Sequence, residues 1–178
     1  AGGREGWVLA GYLAPEAGDA AGLSIVQPTQ NYSYEQMVED LAALEQAYPG
    51  RLRVGSIGTT VEGRTIPVAV LGNPEAEIHI LLQAGIHGRE HMTSLLAMAQ
   101  MEYCLRHPED PFADGTVGGW LQGVCLHIVP MANPDGVTIS QRGEMTGSLA
   151  AIYARDLARG LTDLPPDEYP REWKANAA

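Results

Sequence analysis

The spacing of apolar residues predicts a helix near the start of the orderly part of the chain. Ser33 stands three residues before Gln36, which is the spacing of a capping box. Apolar residues then repeat at the helical period up to Pro49-Gly50, at Met37, Leu41, Leu44 and Tyr48. The pattern therefore predicts an amphipathic helix that begins just after Ser33 and ends at the Pro-Gly pair.

Four strand-like runs and a second helix follow this first helix. The strand-like runs cover residues 53–59, 65–71, 78–83 and 124–130, and the helix covers residues 90–105. The first two runs flank Glu62-Gly63 and predict a hairpin, whereas the third has the continuous apolar pattern of a buried central strand. The fourth is followed by residues 133–136 (NPDG), a strong turn signal. This order of elements predicts an α/β sandwich with a mixed sheet.

The first thirty residues have a different character. Residues 4–14 predict one short strand with aromatic residues, and this segment resembles the closing strand of a bacterial SH3-like domain. Residues 15–30 are rich in proline, glycine and alanine and predict a linker. The expected division is thus the end of a preceding domain over 1–14, a linker over 15–30 and the main domain over 31–178.

Composition and charge exclude several classes of protein. The 178 residues are 45% hydrophobic and 19% charged, and the formal net charge is −11. This composition is typical of a globular protein, and the negative charge disfavours binding to nucleic acid. No run approaches the roughly 20 apolar residues of a membrane span. Cys104 and Cys125 lie in apolar surroundings, which predicts buried free thiols more than a disulfide.

The candidate chemistry lies directly after the third strand. His87 and Glu90 follow Gly85, so they are expected at the carboxyl end of a strand, where open α/β sheets bind ligands. Three-residue spacing at a helix start would place both side chains on one face. Because zinc binds imidazole nitrogen and carboxylate oxygen, the two residues are candidate metal ligands.

The other polar residues of this kind have more ordinary interpretations. His91 would form a helical His-x-x-Glu-His pattern with His87, but that pattern needs helix before His87, where a strand is predicted. His79 and His127 lie inside apolar strands and are interpreted as core or sheet-edge histidines. His107 is interpreted as a helix cap, and Asn133 and Asp135 as turn-forming residues.

Three segments in order give the chain a family resemblance. Residues 81–91 (LLQAGIHGREH) resemble the zinc-binding segment of the carboxypeptidase A-like metallopeptidases, and residues 133–136 resemble the family's second landmark. Residues 171–176 (REWKAN) resemble the stretch just before the family's GVDxNRN block. The resemblance runs from about residue 31 to residue 176. It implies the mixed-sheet, three-layer α/β sandwich of the zinc carboxypeptidases, with only its amino-terminal half in this chain.

The resemblance also implies roles for individual residues. His87 and Glu90 would be two ligands of one Zn²⁺ ion, and Arg89 and Arg171 would contact the substrate. Lys174 falls near a position where the family places an arginine that polarises the scissile carbonyl. A lysine can still stabilise an oxyanion, but it lacks the bidentate geometry of guanidinium. The family's third zinc ligand, its general base and its specificity pocket would lie beyond Ala178, so the chain is expected to be truncated and inactive alone.

The expected substrate is a peptide. Within the family, the resemblance is greatest to bacterial γ-D-glutamyl-diamino-acid peptidases, which implies hydrolysis of cell-wall peptides and a secreted or cell-envelope location, with the cytoplasm as the alternative. Two alternative functions remain open. One is a general protein carboxypeptidase, and the other is a non-catalytic wall- or peptide-binding module. An incomplete sheet would also leave an apolar edge, which predicts a dimer or a companion chain.

Overall fold

The structure, a computed structural model, describes residues 24–175. The strand expected over 4–14 and residues 15–23 of the expected linker lie outside the described residues. The helices within this range are α1 (Tyr34–Ala47), α2 (Met92–Arg106), α3 (Val117–Gly123), α4 (Pro134–Arg142) and α5 (Gly147–Ala158). The strands are β1 (Leu52–Thr59), β2 (Thr65–Gly72), β3 (Ile78–Gln83), β4 (Pro111–Phe112), β5 (Gly115–Thr116) and β6 (Val124–Val129).

The main sheet has four strands in the order β1-β2-β6-β3. β1 and β2 form the expected antiparallel hairpin, and β6 pairs antiparallel with β2 and parallel with β3. Strands β4 and β5 form a separate small hairpin. The mixed sheet and the α/β class predicted from the sequence are therefore confirmed.

Side-chain caps fix where four of the described helices begin, α1 and α4 among them. The Ser33 hydroxyl accepts a hydrogen bond from the Gln36 amide at 3.1 Å, as the spacing predicted. The NPDG segment was predicted as a turn, and this prediction is wrong, because α4 begins there. Asn133 caps α4 by accepting from the Gly136 amide at 2.9 Å, and Pro134 occupies the first helical position, where its missing N–H costs nothing.

One face of the sheet packs against α1 and α2. The main core joins Met37, Leu41 and Leu44 of α1 with alternate residues of the strands, among them Ala69, Leu71, Leu126 and Ile128. α4 connects this core to a second cluster, because Val137 belongs to the first and Ile139 to the second, with Leu149, Tyr169 and Trp173. Within residues 24–175, no helix is both long and apolar enough to cross a membrane.

Strand β3 is more exposed than the sequence predicted. Its bounds are as expected, but among the described residues it is an edge strand whose partner is β6, so the prediction of a buried central strand is wrong. Ile78 is 57% exposed and Leu81 is 61% exposed. A continuous apolar run does not distinguish a strand with two neighbours from one with a single neighbour, which is why the sequence misled.

Candidate metal centre

The candidate site lies where two parallel strands end side by side. Gln83 of β3 pairs with Val129 of β6, so the loops that follow both strands leave the sheet at the same edge. Pairing continues a little further, because the Asn133 amide donates to the Gly85 carbonyl at 2.9 Å. The loop with His87 and the start of α4 are thereby held together, at the sheet edge where α/β folds bind ligands.

A tight turn, and not a helix, brings His87 and Glu90 together. The Glu90 amide donates to the His87 carbonyl at 3.0 Å, and α2 begins only at Met92. The predicted helix start at residue 90 is therefore wrong by two residues. Thr93 fixes the turn, since its hydroxyl donates to the Glu90 carbonyl at 2.8 Å and accepts from the Gly85 amide at 2.9 Å.

His87, Glu90 and Lys174 form one connected polar group. His87 Nδ1 lies 2.7 Å from Glu90 Oε2, and Lys174 Nζ lies 3.3 Å from the other carboxylate oxygen. The hydrogen bond with His87, and secondarily the Lys174 ammonium, lower the pKa of the Glu90 carboxyl from its ordinary value. Glu90 is therefore a carboxylate at neutral pH, the form in which it can bind a cation.

The segment at residues 173–175 lies along the turn and brings Lys174 to Glu90. The Gly88 amide donates to the Lys174 carbonyl and the Arg89 amide to the Trp173 carbonyl, both at 3.1 Å. Asn133 adds a clamp, because its side-chain amide donates to the carbonyls of Ile86, at 3.2 Å, and Ala175, at 3.3 Å. Asn133 thus holds the His87 loop and the 173–175 segment together, a positioning role that the sequence did not reveal.

Gly88 allows this close packing. A Cβ at this position would meet the Gly136 carbonyl oxygen inside van der Waals contact and the Trp173 carbonyl oxygen at 2.8 Å. Both obstacles are backbone atoms, so they cannot rotate away as a side chain would. The glycine between the two candidate ligands is therefore required by the approach of α4 and of the 173–175 segment.

The two candidate arginines have partners of their own. Arg89 forms an ion pair with Glu172. The Arg171 guanidinium lies against Gly143 at the C-terminal end of α4, where a Cβ would be 2.7 Å from its Cζ atom. The structure thus brings His87, Glu90 and Lys174 together, places Arg89 beside them in the same turn, and places Arg171 at the far end of α4.

Asp135 is a buried structural residue that connects α4 to the β1–β2 hairpin. Its carboxylate accepts from the Thr60 hydroxyl at 2.9 Å, the Glu62 amide at 3.1 Å and Arg64 Nη1 at 2.7 Å. These three bonds satisfy the buried charge, as a buried carboxylate requires. Asp135 therefore holds the start of α4, and with it Asn133, in place against the hairpin.

The donor set of the His87–Glu90 pair fits zinc. It offers one imidazole nitrogen and one carboxylate oxygen, both on side chains that are nearly half exposed. Their 2.7 Å separation is shorter than the roughly 3.2 Å between ligands around a tetrahedral zinc ion, so a small side-chain rotation would admit the metal. Among residues 24–175, no third histidine, cysteine or carboxylate has a ligand atom within 4.8 Å of both.

Comparison with known proteins defines the family. The zinc carboxypeptidase family model matches residues 37–176, and this chain belongs to that family, whose metal is Zn²⁺. The chain is 33% identical over 121 residues to gamma-D-glutamyl-L-diamino acid endopeptidase 1 of Lysinibacillus sphaericus, a match that covers 67% of this chain and 30% of that protein.

One more relative and one solved structure resemble this chain. A zinc carboxypeptidase of Saccharothrix mutabilis subsp. capreolus is 30% identical over 118 residues, which cover 61% of this chain and 25% of that protein. The crystal structure of carboxypeptidase A from Helicoverpa armigera supports the fold, with a TM-score of 0.53, 22% identity, and coverage of 74% of this chain and 31% of the other. The chain spans less than a third of the length of each of the three relatives.

Proposed function

We propose that this chain is part of a zinc-dependent peptidase that hydrolyses a peptide bond with metal-activated water, and that His87 and Glu90 supply two of the metal's ligands. The observation that carries the proposal is the convergence of His87 Nδ1 and Glu90 Oε2 at 2.7 Å in a turn at the carboxyl end of β3. Membership of the zinc carboxypeptidase family supports the same chemistry.

The residues around the pair have complementary roles in this proposal. Zinc, when bound, lowers the pKa of a bound water and polarises a carbonyl group. The chain's own contribution is to hold Glu90 as a carboxylate and to orient it through Lys174, 3.3 Å from Glu90 Oε1. Lys174 also supplies a positive charge that stabilises an oxyanion near the metal, and Arg89 and Arg171 bind substrate groups.

The proposed site is completed by residues outside the described range 24–175. Two protein ligands hold zinc weakly, and catalytic zinc sites use three. His87 and Glu90 have no third ligand of the usual types nearby within residues 24–175. We therefore expect the 178-residue chain alone to hydrolyse peptides poorly, because the third ligand and a general base are contributed by other residues or by another chain.

The proposed substrate is a bacterial cell-wall peptide, in which the enzyme cleaves at a γ-D-glutamyl-diamino-acid bond. The support is the 33% identity to an endopeptidase named for that bond. Such a substrate implies a secreted or cell-envelope location. A general carboxypeptidase is the second candidate, and the 30% identity to a zinc carboxypeptidase favours it.

An assay with two substrates tests the proposal. The protein would be a longer form in which this chain is joined to the remainder of a zinc carboxypeptidase domain, compared with the 178-residue chain. We expect the longer form to cleave a γ-D-glutamyl-diamino-acid peptide faster than a peptide with an ordinary free C-terminus, and the short chain to be slower by about 10²–10⁴-fold for want of its base. The reverse substrate preference would favour the general carboxypeptidase.

Variants of the longer form test the ligand assignment. His87→Ala and Glu90→Gln should abolish measurable cleavage while leaving the far-ultraviolet circular dichroism unchanged, because both side chains are nearly half exposed. His107→Ala is the matched control, since His107 is similarly exposed and lies at the C-terminal cap of α2. Cleavage that survives His87→Ala would contradict the assignment. Tight peptide binding without hydrolysis by the unsubstituted longer form would favour a binding module.

A further inference from the structure

We propose that His79, Cys125 and His127 form a second metal site, one that takes zinc or another thiophilic divalent cation. One ligand atom from each side chain lies within 4.8 Å of the other two. Neither the peptidase function nor the His87–Glu90 pair uses these three residues. Two imidazoles and one thiolate are a donor set that suits zinc and leaves a fourth position for water.

Strand register is what brings the three residues together. His79 on β3 is the direct partner of Cys125 on the parallel strand β6. His127 lies two residues after Cys125, so it points to the same face of the sheet. The three side chains therefore project from two rigid neighbouring strands, which fixes their relative positions better than a loop would.

The two shortest distances in this group are close to the spacing of ligands around a metal ion. Tetrahedral zinc with ordinary bond lengths holds nitrogen and sulfur ligands about 3.6 Å apart and two nitrogen ligands about 3.3 Å apart. Cys125 Sγ lies 3.5 Å from His127 Nε2, and His79 Nδ1 lies 2.9 Å from the same nitrogen. An outward shift of about 0.4 Å by the exposed His79 ring would bring the two imidazole nitrogens to the tetrahedral spacing, and the Cys125 ligand atom lies within 4.8 Å of both.

Hydrogen bonding alone satisfies this group poorly. His127 Nε2 carries either one proton or one lone pair, so it can donate or accept one conventional bond, yet two groups point at it. Cys125 is 1% exposed, so water has little access to its thiol. A cation at the centre would instead bind all three atoms at once, with the cysteine as thiolate.

The proposed site is separate from the peptidase centre. His79 lies near the beginning of β3, and Gln83 ends the strand about 13 Å further on, before the loop that carries His87. With three ligands against two, the second site should bind metal more tightly in this chain. Its effect would be to tie the edge strand β3 to β6 and so to stabilise that side of the sheet.

Titration of the 178-residue chain with Co²⁺ tests this proposal, because cobalt bound to a thiolate gives a charge-transfer absorption that nitrogen and oxygen ligands do not. We expect one equivalent of Co²⁺ to produce this absorption and Zn²⁺ to remove it by displacement. Cys125→Ser should abolish the absorption, whereas Cys104→Ser, the matched control at the other free cysteine, should leave it intact.

Two more variants separate this site from the peptidase centre. His79→Ala should weaken Co²⁺ binding by at least about ten-fold, and it should fold because His79 is exposed. The double variant His87→Ala, Glu90→Gln should retain the full absorption. Absence of a charge-transfer absorption at saturating Co²⁺, or an absorption that survives Cys125→Ser, would overturn the proposal. Loss of the absorption in the His87, Glu90 double variant would also overturn it, since the metal would then belong to the peptidase centre.

Discussion

Gly88 lies at the tightest backbone contact of the candidate metal centre. Gly88→Ala would push a Cβ into the carbonyl oxygens of Gly136 and Trp173, which are both backbone atoms. We expect the substitution to separate the turn from α4 and from the 173–175 segment, and to lower the free energy of unfolding by about 1–3 kcal/mol. Urea unfolding followed by circular dichroism measures the change.

The control for this prediction is a glycine with open space around it. A Cβ on Gly147, in the first turn of α5, would meet nothing within 4 Å, so Gly147→Ala should be neutral or slightly stabilising. Equal stability of the Gly88→Ala variant and the wild type would mean that the two backbone segments can move apart at no cost.

Single residues divide into those that a local pattern reveals and those that only the fold reveals. His87 and Glu90 are three residues apart after a strand, so the sequence indicated them. The ion pair between Arg89 and Glu172 joins residues 83 positions apart, and the link between His79 and His127 joins residues 48 positions apart. Such pairs depend on strand register and chain path, which no local spacing encodes.

Helix α2 anchors the first described residues through a buried carboxylate. Glu102 is 1% exposed and accepts bonds from the Ser24 hydroxyl at 2.6 Å, the Ile25 amide at 2.7 Å and the Val26 amide at 2.8 Å. Glu102→Ala would leave these donors without their acceptor, and we expect it to cost about 2–4 kcal/mol. Amide hydrogen exchange at Ile25 and Val26 should become faster.

A surface glutamate provides the comparison. Glu109→Ala removes the same charge from an exposed position near the end of α2, so it should change the unfolding free energy by less than about 0.5 kcal/mol. Unchanged exchange at Ile25 and Val26 in the Glu102→Ala variant would show that the carboxylate does not hold this segment.

The chain before residue 173 is tied to α5 by a bond that depends on pH. The Tyr169 hydroxyl donates to Asp156 Oδ2 at 2.8 Å. Burial, and secondarily this bond, raise the pKa of Tyr169 from 10.0 to about 12. Since the folded-state pKa is raised, the stabilisation is fully present below pH 10 and is lost as the pH rises through about 12. Tyr169→Phe should therefore lower the free energy of unfolding at pH 7 and lessen its fall between pH 10 and 12.

The measured quantity is the difference in the free energy of unfolding between variant and wild type at each pH, because other tyrosines also ionise in alkali. Tyr34→Phe is the control, since the Tyr34 hydroxyl donates to the neutral carbonyl of Thr65 at 3.0 Å. Urea unfolding at pH 7, 10 and 11.5 compares the three proteins. If the free energies of unfolding of the Tyr169→Phe variant and the wild type changed with pH in parallel over this range, the prediction would be contradicted.

Apolar repeats made α1, α2 and the four strands of the main sheet predictable, but the 12-residue helix α5 was not predicted. The seven-residue helix α3 contains three glycines, which have low helix propensity, so nothing in its sequence indicated a helix. The Thr116 hydroxyl caps this helix by accepting from the Gly119 amide at 3.1 Å, and this bond stabilises a helix whose residues have low helix propensity. The NPDG segment was predicted as a turn although it begins α4, since Asn, Pro and Asp favour both turns and the first turn of a helix.

At the scale of the whole molecule, the sheet is covered unequally. The face with Ala69 and Leu126 is buried under the helices, whereas Val68 and Val70 on the other face are half-buried. The sequence predicted the four strands of the main sheet and its mixed pairing, but it did not predict β4, β5 or the order β1-β2-β6-β3, because pairing between distant strands is not a local property. The unequal cover of the sheet and the edge position of β3 both favour association of the chain with another chain.

The exposed apolar residues of β3 predict that the 178-residue chain associates with a second copy or a companion chain. An edge strand offers unpaired backbone groups, and Leu81, 61% exposed, adds apolar surface beside them. Leu81→Lys would place a charge there and forfeit the burial of a leucine, worth about 1.5–3 kcal/mol, so the dissociation constant should rise at least about ten-fold. Val61→Lys, in the β1–β2 turn, is the matched control for an added charge at an exposed apolar position, and it should leave association unchanged. Sedimentation velocity over a range of concentrations measures this, and a monomer at every concentration with a single cooperative unfolding transition would show that the β3 edge is not an interface.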